Sequence, residues 1–481
     1  MQNRLILVII AVSIVLGAST LTRGHEWGDD FAAYIMQAGS ILKGTTREFV
    51  ESNSFTIFES SNQIGPVAYP WGYPIILTPV YAIKGIHPLA LKLPALFFYT
   101  GFLICLYLLM KSRLTQTESL VLAALFAFNP LLLQFLDQIL SDIPFLFFST
   151  LALLLLTDQN KPNDIHSVLI GIIIFFAFLI RTTGILLLAS FVAVEIFKVI
   201  GSHANRDRIN MSIRPVLITG ITFGLLFLIN FWLFPGGEIS HLAIYQEFEI
   251  ETALGFTTGY LQVFSLFFGE APAWKIVYYI VFVFFLMGMW IKRKEEPLLI
   301  IFFSFWMILL ITWPAWQGPR FIFPLLPVFI YFAFQGMKFV SGRLPERYAQ
   351  TGKWLFYGFW LSIVGVFLFN ASANAYINLR NDRSINGPFD PYSREVYSYI
   401  KEQTVADSVI VFFKPRAMAL MTEHPTIMST ECDRMLKGDY IVLSRKVGEN
   451  QQIAPEKIDA CNLPLTQVLK NNRFIIYEIQ K

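Results

Sequence analysis

The first residues able to do chemistry are two adjacent carboxylates, in His25-Glu26-Trp27-Gly28-Asp29-Asp30. They follow an apolar run and open a segment whose apolar residues have helical spacing. A carboxylate there suits a general base facing an incoming hydroxyl. It also suits a helix start, where Asp is a favoured N-cap and acids complement the helix dipole. Both readings stand and can apply to different members of the pair. Asp137 and Asp142 flank a short connection, Asp137-Gln138-Ile139-Leu140-Ser141-Asp142-Ile143-Pro144. Carboxylates at the mouth of apolar helices are costly unless they face a cavity, although Asp142 with Pro144 in the first turn also reads as a helix cap. Arg181 heads Arg181-Thr182-Thr183-Gly184, and Arg320 follows Trp313-Pro314-Ala315-Trp316-Gln317-Gly318-Pro319. Each Arg reads as an interfacial anchor or as a phosphate ligand, since guanidinium binds phosphate bidentately. Carboxylates and guanidinium groups gathered on one membrane face suit an enzyme with a lipid-linked phosphate donor.

The elements that must position these groups are membrane helices. Of 481 residues, 55% are hydrophobic and 15% charged, with 47 Phe; soluble domains carry about 25% charge. Apolar runs of bilayer length fall near 4–22, 88–110, 118–136, 142–157, 166–180, 182–200, 214–234, 276–291, 297–313, 321–340 and 354–372, so about eleven spans are expected. The first reads as an uncleaved helix, with Gly17-Ala18-Ser19 as an alternative cleavage site. Lys111, Arg113, Lys198, Arg206, Arg208, Arg214, Lys292-Arg293-Lys294, Arg343, Arg347 and Lys353 all fall on one side. The opposite connections carry few bases, and 235–275 holds Glu238, Glu247, Glu249, Glu251 and Glu270. The positive-inside rule therefore predicts a cytoplasmic N-terminus, an external C-terminus, and an external first loop over 23–87. In that loop the spacing predicts interfacial helices over 30–42 and 73–84. After 373 the pattern predicts a small α/β domain over 374–481, following a membrane domain over 1–373. Its helix is expected over 392–403 and its strands over 408–413, 440–444 and 474–479.

Other classes are disfavoured. A net charge of +3 with no basic cluster argues against nucleic acid. Three cysteines make no disulfide framework and no Cys-based zinc site. Cys105 reads as a buried packing residue, whereas Cys432 and Cys461 can pair in an oxidising compartment. His25 beside Glu26, or His241 with Glu247 or Glu249, lacks the spacing of metal ligands, so no metal site is expected, with a divalent ion left as an option. The aromatic runs at Phe145, Phe147 and Phe148 and from Phe302 to Trp306 read as packing or lipid-facing residues.

The layout resembles the GT-C glycosyltransferases, in particular the bacterial branch near protein O-mannosyltransferases and the lipid A aminoarabinose transferase. The matching pieces, in order, are Gly28-Asp29-Asp30-Phe31-Ala32-Ala33-Tyr34, Tyr69-Pro70-Trp71-Gly72-Tyr73-Pro74, Ser141-Asp142-Ile143-Pro144-Phe145, Arg181-Thr182-Thr183-Gly184, Arg320 to Pro327, and Lys414-Pro415-Arg416-Ala417-Met418-Ala419-Leu420. Each is short; their order carries the weight. The resemblance implies an inverting transfer, outside the cytoplasm, of a sugar from a polyprenyl-phosphate donor to a hydroxyl of a glycan, lipid or protein. It implies Asp29 as the base with Asp30 as its partner, and Arg320 on the donor phosphate with Arg181 as a second candidate. Asp142, with Asp137 and Tyr69, would orient the site or the acceptor. One departure is that no Lys stands next to Tyr69-Pro70, where the aminoarabinose transferase has one. A transporter or flippase for a lipid-linked saccharide is the alternative; it would place charges near mid-span or break helices in corresponding halves, and neither pattern is seen.

Overall fold

The computed structural model describes residues 2–480 except 63–64, 158–162, 202–205, 237–248, 314, 382, 384 and 449. Glu238, Glu247 and His241 lie outside the described residues.

Every expected span falls on helix. These are α1 (Gln2–Thr20), α5 (Pro88–Lys111), α6 (Gln116–Ala127) with α7 (Pro130–Leu136), α8 (Asp142–Thr157), α9 (Asp164–Ile180), α10 (Ile185–Gly201) and α11 (Arg206–Leu233). They continue with α13 (Pro272–Lys292), α14 (Pro297–Thr312), α15 (Leu326–Ser341) and α16 (Glu346–Asn381). Six described helices are long and apolar enough to cross a membrane, or seven if α6 and α7, bent by 52° at their junction, count as one span. The bend has a local cause. Pro130 has no N–H to continue the ladder and disfavours helix at Asn129 before it. Asn129 is fully buried and caps the new helix at Leu132 N, 3.1 Å away, while its amide donates to Phe267 O. The chain is thus a multi-pass membrane protein.

Three helices lie in the first loop: α2 (Asp30–Lys43), α3 (Thr46–Glu59) and α4 (Gly72–Lys84). The expected helices at 30–42 and 73–84 correspond to α2 and α4. Helix α3 was not expected, because its sequence is polar and its buried residues are mostly Asn53 and Thr56 beside Ile57. A further helix, α12 (Ile250–Val263), lies within 235–275, which sequence alone leaves as an acid-rich connection.

Helix α16 runs through position 373 to Asn381 before the chain enters the tail. There α17 (Pro391–Gln403), capped by Asp390, and α18 (Pro415–Thr422) pack on a sheet of β1 (Ile410–Phe412), β2 (Thr426–Ile427), β3 (Tyr440–Ser444), β4 (Leu465–Lys470) and β5 (Phe474–Ile479). The order is β2-β1-β3-β5-β4, with β1 parallel to both neighbours and β5 antiparallel to both of its own. A disulfide joins Cys432 to Cys461. This unit docks onto the first loop: Ser61 N donates to Met428 O at 2.9 Å, and Arg434 donates to Ser60 O at 2.6 Å. Ala417 and Leu420 of α18 share a buried cluster with Phe31, Ile35 and Leu77. The acid-bearing loop is therefore sandwiched between the membrane bundle and the tail.

Candidate active site

Asp29 stands at the N-terminus of α2, yet its side chain makes no capping bond to that helix. Its Oδ1 instead accepts the backbone N–H of Arg416 at 3.1 Å, and the Lys414 ammonium stands 3.7 Å from Oδ2. Arg416 is in the first turn of α18, so Asp29 caps a helix remote in sequence. Asp29 is 5% exposed. Burial pushes its carboxyl up to about 6, against the pull of Lys414 and Arg416 and with a further push from Asp30. A carboxylate that titrates there is suited to act as a base near neutral pH.

Asp30 is placed differently. Tyr69 Oη donates to its Oδ1 at 2.6 Å, and Arg320 Nη2 donates to Oδ2 at 2.6 Å. Burial pushes this carboxyl up, but Arg320 and the Tyr69 hydrogen bond outweigh it and hold Asp30 below the usual range. Arg320 Nη1 also stands 3.9 Å from Asp142 Oδ2, and Arg181 donates to Asp142 Oδ1. Acids and bases thus alternate along Asp30, Arg320, Asp142 and Arg181. Phe321 lies under the Arg181 guanidinium at 4.0 Å. Tyr34, one turn along α2 from Asp30, is hydrogen-bonded through its hydroxyl to Ser141 beside Asp142.

His25 fastens the loop. Its Nε2 accepts the Ile139 N–H at 3.0 Å, so Nδ1 carries the proton and donates to Glu26 O. Burial pushes it down to about 3, so the ring stays neutral and is not a proton-transfer group near pH 7. The tail presses on the same turn: a Cβ added at Gly387 would lie 1.8 Å from His25 O.

Six of the seven expected site residues meet here: Asp29, Asp30, Tyr69, Asp142, Arg181 and Arg320. Asp137 is the exception. Its carboxylate takes Thr22 N at 2.6 Å, Lys92 Nζ at 2.6 Å and Arg383 at 3.4 Å. Lys92 is fully buried and donates also to Thr22 O and Gly24 O. Asp137 therefore ties the end of α1 to α5 and the tail, apart from the Asp30, Arg320, Asp142 and Arg181 series.

Sequence places Lys414 and Arg416 in a matching motif but gives them no role at the site, and does not mark Asn53. Arg416 is fully buried; its Nε donates to Asn53 Oδ1 at 3.2 Å, its Nη2 donates to Pro66 O, and it lies over the Tyr69 ring. Gly65, at φ +125°, passes close by: a Cβ there would meet Tyr69 Oη at 3.1 Å and Arg416 Nη1 at 3.4 Å. A usable signal existed. Lys414-Pro415-Arg416 puts two cations at a helix N-terminus, where the dipole favours acids, and so implies an acid supplied from elsewhere.

Asp29, Asp30, Arg320 and Lys414 open onto a cavity of about 440 Å³, within the range of small-molecule sites. Glu26, Trp27, Asn62, Gln138, Asn450 and Gln451 are among its other lining residues. Among the described residues no three His, Cys, Asp or Glu side chains converge as metal ligands. The Arg320 guanidinium already fills the cation position between Asp30 and Asp142.

Residues 68–234 match the family model described as dolichyl-phosphate-mannose-protein mannosyltransferase. A search of curated protein sequences finds no match. Among solved structures, the chain is similar to the Archaeoglobus fulgidus oligosaccharyltransferase in the apo form, with a TM-score of 0.63 and 12% identity over 100% of this chain and 74% of that one. It is similar also to ArnT from Cupriavidus metallidurans in the apo state, with a TM-score of 0.59 and 12% identity over 98% and 97% of the two chains. The same protein bound to undecaprenyl phosphate gives 0.60 over the same shares, again at 12% identity. Identity this low carries the fold: the chain is a polytopic helical membrane protein of the architecture shared by these two, with a small α/β unit closing over its first loop.

Proposed function

We propose that the protein is an integral-membrane glycosyltransferase that moves a sugar from a polyprenyl-phosphate donor to an acceptor hydroxyl outside the cytoplasm, with inversion. The observation that carries this reading is Asp29: a buried carboxylate titrating near 6 on the wall of a cavity that also presents Arg320 and Lys414. The match to a family described by a dolichyl-phosphate-mannose donor supports it, as does the undecaprenyl phosphate held by the similar ArnT structure.

In this reading the acceptor oxygen attacks the anomeric carbon and passes its proton to Asp29. The bond from that carbon to the phosphate oxygen breaks on the opposite face, and its electron pair leaves with the polyprenyl phosphate. Arg320 stabilises that developing charge, held in place by Asp30 and Asp142; preorganised cations of this kind need little reorganisation during reaction. Arg181 holds Asp142, which in turn limits the freedom of Arg320. Asp30 stays ionised as the counter-charge of Arg320 rather than as the base. The expected location is the inner membrane of a bacterial cell.

The test is a transfer assay on the purified protein in lipid nanodiscs, with radiolabelled polyprenyl-phosphate sugars and glycan, lipid or peptide acceptors. Lipid-linked and surface glycans of a deletion strain and its parent identify which pair to use. Release of polyprenyl phosphate with a new, inverted glycosidic bond, unchanged by EDTA, is expected. Translocation of the intact lipid-linked saccharide without bond cleavage would replace the reading with a flippase.

A further inference from the structure

The tail touches the reacting end of the protein at Asp29, and the manner of contact is informative. Asp29 Oδ1 accepts the Arg416 N–H at 3.1 Å, whereas Oδ2 faces the Lys414 ammonium at 3.7 Å, too far for a hydrogen bond. Oδ1 is thereby oriented, and Oδ2 keeps its lone pairs for a proton. A carboxylate this buried protonates unless charge compensates it. The charged groups that face it are Lys414 and Arg416 from the tail and Asp30 from its own helix, which opposes them. Arg320 is committed to Asp30 and Asp142, and His25 is neutral.

The placement of Lys414 is built rather than incidental. It is the N-cap of α18, directly after β1, at a position where a cation opposes the helix dipole. Two residues before Asp29, Trp27 inserts between Phe413 and Phe474 of the tail, with ring centroids 5.0 and 6.2 Å away. Trp27 and Asp29 therefore fix the loop to the tail at two points, and Arg416 is clamped on the far side by Asn53 and Pro66. Neither partner has freedom to drift from the other.

We propose that Lys414 is a positioning residue, brought to the site by the C-terminal unit, that keeps Asp29 ionised and aimed into the cavity, so that this unit is a working part of the active site. The proposal rests on Asp29 being the base, and its test separates the two ideas. In the intact protein in nanodiscs, the Asp29 carboxyl is titrated by difference infrared spectroscopy, its band assigned by loss in Asp29→Asn. Removing a cation within about 4–6 Å raises a carboxyl pKa by about one pH unit or more. The midpoint should therefore rise by about one pH unit in Lys414→Met and return in Lys414→Arg. This readout needs no activity; an unmoved midpoint in Lys414→Met overturns the proposal. The acid limb of kcat for sugar transfer should move with it, giving about a fivefold loss at pH 6 that vanishes above pH 8. An unmoved limb with a raised KM for the polyprenyl-phosphate sugar would instead make Lys414 a donor ligand and overturn the positioning role.

Discussion

Replacing Asp29 by Asn should abolish transfer and stabilise the protein, a pairing that a structural carboxylate would not produce. Asn keeps an oxygen to accept the Arg416 N–H, so the cap on α18 survives. What is lost is the proton acceptor, and general bases contribute about 10²–10⁴-fold, or about 3–5 kcal/mol of barrier. The stability change has the opposite sign. Moving the carboxyl from 3.8 to about 6 on folding disfavours its charged form by about 3 kcal/mol. The folded carboxyl binds its proton more tightly, so this penalty is complete above about pH 6 and fades as pH falls toward 3.8. Asn never carries the charge. Asp29→Asn should thus melt higher than the wild type at pH 7.5, with the difference shrinking toward pH 4. Wild-type kcat should fall as pH drops through about 6, while the residual rate of the variant stays flat. Asp30→Asn supplies the contrast: it removes a neighbouring negative charge that pushes Asp29 up, so its acid limb should move downward and persist. Single-turnover transfer and scanning fluorimetry across pH measure all of this. An Asp29→Asn protein with more than a tenth of the wild-type rate, or with its acid limb retained, would refute the assignment of the base.

Three further outcomes follow from the same contacts. Arg320→Gln should lower kcat by about 10²-fold, as for loss of one preorganised donor, and Arg320→Lys should recover only part of it, because one ammonium cannot span Asp30 and Asp142; steady-state kinetics decide. Asp137→Asn should cost about 3–5 kcal/mol by leaving Lys92 buried and unpaired, read as a lower melting temperature with the pH profile of the surviving activity unmoved. Reduction of Cys432–Cys461, which closes a loop 29 residues apart in sequence, should cost about 3–4 kcal/mol on the chain-entropy relation; alkylation mass shifts only after reduction and a lower melting temperature check it.

The spans were legible because long apolar runs have one outcome in a bilayer, a helix whose backbone groups are satisfied within the segment. Helices α2 and α4 were legible from their apolar faces, and the strands over 440–444 and 474–479 from their composition. Helix α3 is not legible because it buries polar residues, Asn53 and Thr56; Asn53 accepts from Arg416 and donates to Val67 O of the loop. Asp137 was grouped with Asp142 on proximity in sequence, and the bundle separates them: one meets Lys92, the other Arg181 and Arg320.

Sequence by itself determined that this is a membrane protein with a paired acid at the end of its first helix, and it supplied the ordered motifs that suggest a lipid-phosphate donor. By residue type and spacing Asp29 and Asp30 each read as a cap or a catalyst, and only the family resemblance favours Asp29 as the base. Tertiary structure gives the two carboxylates different surroundings. Asp30 meets Arg320, 290 residues away, and is held ionised as a counter-charge. Asp29 meets the N-terminus of a helix 387 residues away and is pushed toward neutrality. The physical reason is that a carboxylate's affinity for a proton is set by burial and by charges within a few ångströms, and in this chain those charges are brought close only by packing.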